Sequence, residues 1–217
     1  MHTRRLLAAL AFAMWSCGSL AASEFCERVE GNFLKDPTFS QRNSGGVLQY
    51  WGSTQHAGEP SFDLDFDNGE LTINKIGTQP WFYFRQNVAA QELVGKMLAL
   101  TAELKLDLRP PEKPQAIKVG GGIMIVARSS SSQGRKLLLR SVLDHQPSLG
   151  KADWHPVQVV VQIPADTDVV DVGFLHQADG TMQVRNPSFQ LVDGSSQPCA
   201  VSPNAILGIP RTSSGLR

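Results

Sequence analysis

The stretch from Ser61 to Ile76, SFDLDFDNGELTINKI, predicts a β-hairpin and with it an all-β fold. Apolar and polar residues alternate strictly from Ser61 to Phe66, which is typical of a strand with one buried face. The segment from Leu71 to Ile76 is predicted to be the returning strand. Asn68-Gly69 lies between the two runs and favours a tight turn, because both residues tolerate positive φ.

The same period of two continues along the chain, and no helical periodicity stands out. Proline, glycine and serine interrupt the alternation at Pro110-Pro111, at residues 129–134 and at Asp179-Gly180. About ten strands at this spacing predict a β-sandwich or barrel. The other predicted strands are Val47–Trp51, Trp81–Val88, Lys96–Leu108, Ile123–Arg128, Lys136–Leu143, Trp154–Ile163, Val169–His176 and Thr181–Val192.

The first 21 residues have the layout of a secretory signal peptide. Arg4 and Arg5 precede an apolar run from Leu6 to Trp15, and small residues follow around Ser19–Ala21. The apolar run is shorter than the roughly 20 residues that a membrane-spanning helix needs. We therefore expect cleavage after Ala21 or within two residues of it, and export to the periplasm or the medium without a membrane span.

Removing the leader also removes Cys17 and leaves Cys26 and Cys199. In an oxidising compartment two such cysteines predict one disulfide, since no metal-binding spacing is present. A bridge that encloses nearly the whole domain stabilises it by roughly 4 to 5 kcal/mol on the loop-entropy model. Two free buried thiols are the alternative.

The chain of 217 residues carries 20 basic and 20 acidic residues. This balance, without a basic stripe, does not favour nucleic acid as a partner. Residues 22–199 suffice for one domain with a hydrophobic core. Residues 200–217 contain Ser, Pro and Gly without periodicity and predict a flexible tail.

Several motifs follow one another along the chain: Asn32–Phe39, then Trp51, Pro80–Gln86 with Gly95–Met97, Asp153–Val157 with Ile163–Ala165, and Gly180–Phe189. Their order resembles that of galactose-binding-like jelly rolls, which include the carbohydrate-binding modules attached to xylanases and glucanases. The first motif is similar to N-L-x-x-N-P-x-F of these modules and the last to G-x-V-x-D-N-V-S-L. The resemblance extends over roughly residues 32 to 193, and each motif alone is weakly specific. It implies a jelly-roll β-sandwich of two antiparallel sheets that binds carbohydrate.

Two positions depart from the pattern of these modules. Many members bind a structural calcium through an acidic residue after the opening Phe and an Asp before the closing Asn. Ser40 and Arg185 occupy those positions here. A guanidinium is a fixed positive charge, and calcium needs several oxygen ligands. A calcium site of that type is therefore not expected.

Other patterns resemble metal-binding or catalytic motifs but do not match them fully. Asp63, Asp65 and Asp67 start like an EF-hand loop, but Asn68 and Asn74 replace the required Gly and Glu. The alternation favours a solvated strand face for these three carboxylates.

The histidines and the glycine run give no active site either. His145 and His155, beside Asp144 and Asp153, are expected at the surface near strand ends, because adjacent residues point to opposite faces. Gly120–Gly122 lacks the helix and Lys of a phosphate loop. We predict no catalytic residues, no metal and no cofactor.

Aromatic side chains support a binding function. The run Trp81–Phe84 sends Phe82 and Phe84 to one face of a strand and Trp81 and Tyr83 to the other. Phe82 and Phe84 are expected in the core. Trp81, Tyr83 and Arg85 are expected in a ligand cleft. The alternative is that Trp81 also packs in the core.

The sequence thus predicts an exported, non-catalytic module that recognises carbohydrate at the cell envelope or outside the cell. Trp51 and Trp154 match positions that are mostly structural in the resembling modules. A protein-interaction or structural domain of an envelope or secretion assembly remains the alternative. A hydrolase or lyase has no supporting constellation of residues.

Overall fold

A computed structural model of the chain describes residues 25–113, 116–131, 134–193 and 206–207. These residues form eleven strands, and none of them lies in an α-helix. No helix of this part of the chain is therefore long and apolar enough to cross a membrane. The strands are β1 (Gly52–Gln55), β2 (Phe62–Asp67), β3 (Glu70–Lys75), β4 (Phe82–Ala89), β5 (Met97–Arg109), β6 (Gly120–Ser131), β7 (Gly134–Val142), β8 (Gly150–Gln162), β9 (Val169–Gln177), β10 (Asp179–Leu191) and β11 (Ile206–Leu207).

The strands form two antiparallel sheets. One sheet has six strands in the order β1-β4-β9-β6-β7-β11, and the other has five in the order β2-β3-β10-β5-β8. Neighbours in a sheet are mostly distant in sequence, because consecutive strands lie in different sheets everywhere except at the pairs β2-β3 and β6-β7. The predicted jelly-roll β-sandwich is confirmed.

The hairpin that opens the five-stranded sheet forms as the sequence predicts. Asp67 pairs with Glu70 across the turn, and Asn68 and Gly69 adopt φ of 49° and 82°. Phe62 is buried, while the three aspartates of β2 are exposed. The solvated face predicted for these aspartates is confirmed.

The core between the sheets contains a stack of aromatic rings. The Trp51 ring lies parallel to that of Phe84, with centroids 5.2 Å apart, and 5.8 Å from that of Phe174. Its indole Nε1 donates a hydrogen bond of 2.9 Å to the carbonyl oxygen of Asp36. The polar edge of this buried ring is thereby satisfied, so Trp51 has a structural role.

The strand predicted at Val47–Trp51 is wrong, because β1 begins only at Gly52. In the segment before it, Leu48 forms only an isolated bridge with Arg42. The loop that leads to this bridge is held by the buried carboxylate of Asp36, which accepts 2.9 Å hydrogen bonds from the backbone N–H groups of Ser40 and Gln41. Side-chain bonds of this kind compete with strand pairing. Val47 is 63% exposed, so its apolar character does not report burial.

The two ends of the domain run side by side. Arg28 forms an antiparallel bridge with Val192, and the N–H of Asp193 donates to the carbonyl of Glu27 at 3.0 Å. The predicted leader and Cys199 lie outside the described residues, as does most of the predicted tail. Within that tail, Ile206–Leu207 pairs with β7. The domain boundaries stay a prediction.

Candidate binding face

The outer surface of the six-stranded sheet, hereafter the binding face, carries the three residues predicted to bind a ligand. Phe82 and Phe84 are buried in the core. Tyr83 and Arg85 alternate with them on β4 and are half-buried. Trp81, which immediately precedes β4, lies on the same side as Tyr83. The predicted division of the aromatic run between two faces is confirmed.

Trp81 and Tyr83 form a stacked pair. Their ring centroids are 4.8 Å apart with an interplanar angle of 27°. The pair packs against a small apolar cluster on the binding face, and both rings stay half-buried. Trp81 thus lies outside the main core, and part of its side chain is exposed to solvent. The buried members of the cluster are Met124, Val126, Leu143 and Leu175.

The polar part of the face is organised by the carboxylate of Asp171. Asp171 lies opposite Asn87 of β4 and Val126 of β6. Its Oδ1 lies 2.6 Å from Nη1 of Arg85. It also pairs with the guanidinium of Arg128 and accepts from the amide of Asn87. Sequence analysis missed this group, because its members are brought together only by strand pairing.

Burial differs sharply within this group. The Asp171 side chain is 2% exposed, whereas those of Arg85 and Arg128 are 31% and 28% exposed. The carboxylate therefore fixes the direction of two guanidiniums that still reach solvent. Each guanidinium has five N–H donors, so donors remain for a ligand.

A strip without side chains lies on both sides of Arg85. Its cross-strand neighbours are Gly52 on β1 and Gly173 on β9. A Cβ at Gly52 would have no atom within 4 Å, so the space above it is open. A Cβ at Gly173 would lie 2.2 Å from the carbonyl oxygen of Phe84, so only glycine fits there. A flat group can approach the sheet closely beside Tyr83 and Arg85.

Positive charge accumulates on this face. Burial lowers the pKa of Arg128, and the positive charges of Arg85, Arg135 and Arg140 lower it further. Tyr83 is close enough to act in the opposite direction. Three arginines and Tyr83 thus lie within electrostatic reach of Arg128.

A loop closes one end of the binding face and explains the glycine run of β6. Nε2 of His145 accepts a 3.1 Å hydrogen bond from the N–H of Ile123, and the carbonyl of Ser148 accepts one of 2.7 Å from Gly121. A Cβ at Gly122 would lie 1.8 Å from the His145 ring. The glycines are needed for this close packing and not for phosphate.

The surface position predicted for His145 is wrong. His145 is 6% exposed, and its pKa is lowered to about 4, first by burial and then by the charges of His155 and Lys118. His155 is half-buried, and its Nδ1 lies 2.8 Å from the carbonyl oxygen of Asp153. The prediction failed because the loop folds back over β6, which no local pattern indicates.

The position that would hold calcium in the resembling modules is an ion-pair network. Arg185 Nη2 lies 2.7 Å from Oε2 of Glu103, and its Nη1 lies 3.4 Å from Oε1 of Glu70. The Arg185 guanidinium covers the ring of Trp154 at 4.2 Å. Within the described ranges no group of three or more His, Cys, Asp or Glu side chains is placed to hold a metal ion.

The outer surface of the five-stranded sheet offers a different environment. Two cavities of about 560 and 460 Å³ adjoin there and share Asp107 and Thr181. Both positively and negatively charged side chains line them, among them Lys105, Lys151 and Asp153. No aromatic ring lines either cavity. The stacked aromatic pair, in contrast, lies beside Arg85 on the binding face.

The chain matches no protein-family model, and no curated protein matches it. Among solved structures it is similar to the family 22 carbohydrate-binding module of Clostridium thermocellum Xyn10B, with 10% identity and a TM-score of 0.42 over 76% of this chain and 99% of that one. It is also similar to the xylan-binding domain of Paenibacillus barcinonensis Xyn10C, with 10% identity and a TM-score of 0.39 over 66% and 86% of the two chains.

A third similar structure is the enzymatically active domain of tailspike protein 4 of bacteriophage CBA120, with 12% identity and a TM-score of 0.44. The match covers 66% of this chain but only 20% of the tailspike chain. Carbohydrate-binding modules of families 29 and 16 also occur among the similar structures. Because these TM-scores lie below 0.5, the function of the chain has to be inferred from its own residues.

Proposed function

We propose that this protein is an exported, non-catalytic module that binds carbohydrate on the binding face. The observation that carries the proposal is the stacked pair of Trp81 and Tyr83 beside Arg85, next to a strip of the sheet that lacks side chains. Sugar rings have apolar CH faces that pack on aromatic rings, and hydroxyl groups that require hydrogen-bond partners. The binding face provides both within one short segment.

Asp171 supports this function by holding the polar groups in place. It accepts from Asn87 and pairs with Arg85, so both side chains are oriented before a ligand arrives. Ordering a long side chain on binding costs about 0.5 to 1.5 kcal/mol. A guanidinium already held by a buried carboxylate avoids most of that cost.

Export and the absence of chemistry belong to the same proposal. The predicted leader directs the chain to the periplasm or the medium, where Cys26 and Cys199 form a disulfide. The module has no catalytic residues, metal or cofactor of its own. Its partner is a glycan of the cell envelope or the surroundings.

The alternative, a domain that binds an envelope or secreted protein, has less support. A protein-binding surface would be expected to show a contiguous apolar patch above a few hundred Å². Most of the large apolar side chains that are exposed among the described residues belong to different segments, such as Val47 and Ile76 on loops and Leu137 on β7. No specific observation favours a protein partner.

Filling the open strip tests the proposal without removing any native contact. Gly52→Val adds a side chain where a Cβ meets no atom within 4 Å, so the fold should tolerate it. Ser53→Val adds similar bulk on the same edge strand but toward the opposite side, opposite Phe84. A glycan array with the mature protein should first identify a bound sugar, and calorimetry should then compare the two variants.

We expect Gly52→Val to weaken sugar binding at least about tenfold, equivalent to about 1.4 kcal/mol, and Ser53→Val to bind normally. Both variants should keep the thermal midpoint of the wild type within a few degrees. Equal affinity of all three proteins would contradict the proposed site. Absence of any bound glycan would contradict the proposed function and favour the protein-partner alternative.

A further inference from the structure

We infer that the glycan is anionic, namely a polysaccharide whose sugar rings carry carboxylates, bound through the arginines of the binding face. This inference rests on the proposed function and specifies its ligand. It follows from the balance of charge around Asp171 and from the position of Arg140.

The first observation is that one carboxylate serves two guanidiniums. Asp171 pairs with both Arg85 and Arg128, and the two arginines approach it from strands on either side of β9. One negative charge cannot neutralise two positive charges. The group therefore carries a net positive charge, and its arginines remain about 30% exposed.

The second observation extends this charge across the sheet. Arg140 of β7 lies opposite Val126, and Val126 lies opposite Asp171. Adjacent strands are about 4.8 Å apart, so Arg140 lies about 10 Å from Asp171 along one row. Neither Arg140 nor Arg135 has an acidic side chain within ion-pair distance in the described part of the chain.

A side-chain oxygen of Asp168 accepts from the N–H of Ser130 at the end of β6. In the described part of the chain, Asp168 forms no ion pair with Arg128, Arg135 or Arg140. Arg85, Arg135 and Arg140 repel Arg128, and their charges lower the pKa of Arg128 beyond the effect of its burial. A bound anion would relieve that repulsion.

The chemistry of the arginines indicates the type of anion. A guanidinium matches a carboxylate in a planar, two-point arrangement. The adjoining Trp81 and Tyr83 provide the apolar surface for the ring that bears the carboxylate. A uronic acid residue combines both features, whereas a neutral sugar uses only the aromatic part.

The test compares ligands that differ only in charge. Polygalacturonate and its fully methyl-esterified form share one backbone, and polymannuronate and polyglucuronate widen the acidic set. Calorimetry should show the wild type binding an acidic polymer at least about tenfold more tightly than the esterified one. Binding should also weaken as salt is raised, because salt screens charge.

Matched variants locate the effect. Arg140→Gln should reduce the affinity for the acidic polymer at least about threefold. Lys105→Gln removes one positive charge from the other sheet, where Lys105 is exposed on β5, and should bind like the wild type. Equal loss in both variants would show general attraction and overturn the inference.

Two further outcomes separate this inference from the proposal beneath it. If the esterified or another neutral glycan binds as tightly as the acidic polymers, the anionic ligand is wrong while carbohydrate binding stands. If neither acidic nor neutral glycans bind, both the inference and the proposed function are wrong.

Discussion

The carboxylate of Asp171 lies 2.6 Å from the guanidinium of Arg85, although the two residues are 86 positions apart in the sequence. The pair connects β9 to β4 on the outer side of the six-stranded sheet. Arg128 joins it from β6. An acidic residue is thus buried on the face of the sheet that is directed away from the core, under the arginines that we expect to meet a ligand.

Replacing Asp171 by Asn should destabilise the fold, because two partly buried guanidiniums lose their counter-charge. We expect the free energy of unfolding to fall by about 2 to 4 kcal/mol, with exposure of the arginines keeping the loss moderate. Urea denaturation measures it. Asp63→Asn, an exposed change on β2, should alter stability by no more than about 0.5 kcal/mol. Equal stability of both variants would refute a structural role for Asp171.

Two buried histidines should make the fold sensitive to acid. The pKa of His145 is lowered to about 4, and so is that of His176, chiefly by burial and next by the charge of Lys75. An unfolded histidine binds a proton below about pH 6.5. Between about pH 6.5 and 4 the unfolded state therefore binds more protons, and stability falls as the pH falls.

The effect should be on the order of 3 kcal/mol for each histidine once the pH reaches 4. Urea midpoints measured at several pH values across this window test it. His145→Gln keeps an acceptor for the N–H of Ile123, so the variant should fold and lose less stability on acidification than the wild type. Identical pH dependence in both proteins would show that His145 does not titrate as described.

The hairpin and the aromatic run could be predicted from sequence because both follow from local alternation. Asn68-Gly69 sets the turn between β2 and β3, and the period of two on β4 separates Phe84 from Tyr83. Such patterns need only the geometry of one strand. The fold and the positions of the predicted ligand-binding residues could therefore be predicted from the sequence.

The polar group around Asp171 could not be predicted from the sequence in the same way. Asp171 and Arg128 meet Arg85 only because β4, β9 and β6 are neighbours in one sheet, and a single sequence does not reveal strand order. The predictions of a surface position for His145 and of a strand at Val47–Trp51 were wrong for a related reason. Loops held by side-chain hydrogen bonds, such as those to Asp36, leave no periodic signal.

The disulfide between Cys26 and Cys199 remains a prediction. Asp193 pairs with Glu27, so only five residues separate the paired segment from Cys199. Peptide mapping without reductant should recover the two cysteines as one linked species. Reduction should lower the free energy of unfolding by about 4 kcal/mol. Recovery of two alkylated thiols would refute the bridge.

Calcium should not be required for folding. Arg185 occupies the position of a ligand in the resembling modules and is engaged by Glu103 and Glu70. Tight binding of a metal to the native state would raise the thermal midpoint. Adding a chelator should therefore leave the midpoint unchanged, and a drop of more than about 10 °C would correspond to loss of a strongly bound ion.

The affinity and stability of Tyr83→Ala and Phe84→Ala, measured side by side, test the central claim most directly. The two residues are adjacent on β4 but face opposite sides of the sheet. Tyr83→Ala should keep the fold and lose about 1 to 3 kcal/mol of sugar-binding free energy. Phe84→Ala, like Phe82→Ala, should destabilise by about 3 to 5 kcal/mol because it opens a core cavity. Unchanged sugar binding by a folded Tyr83→Ala protein would contradict carbohydrate recognition on the binding face.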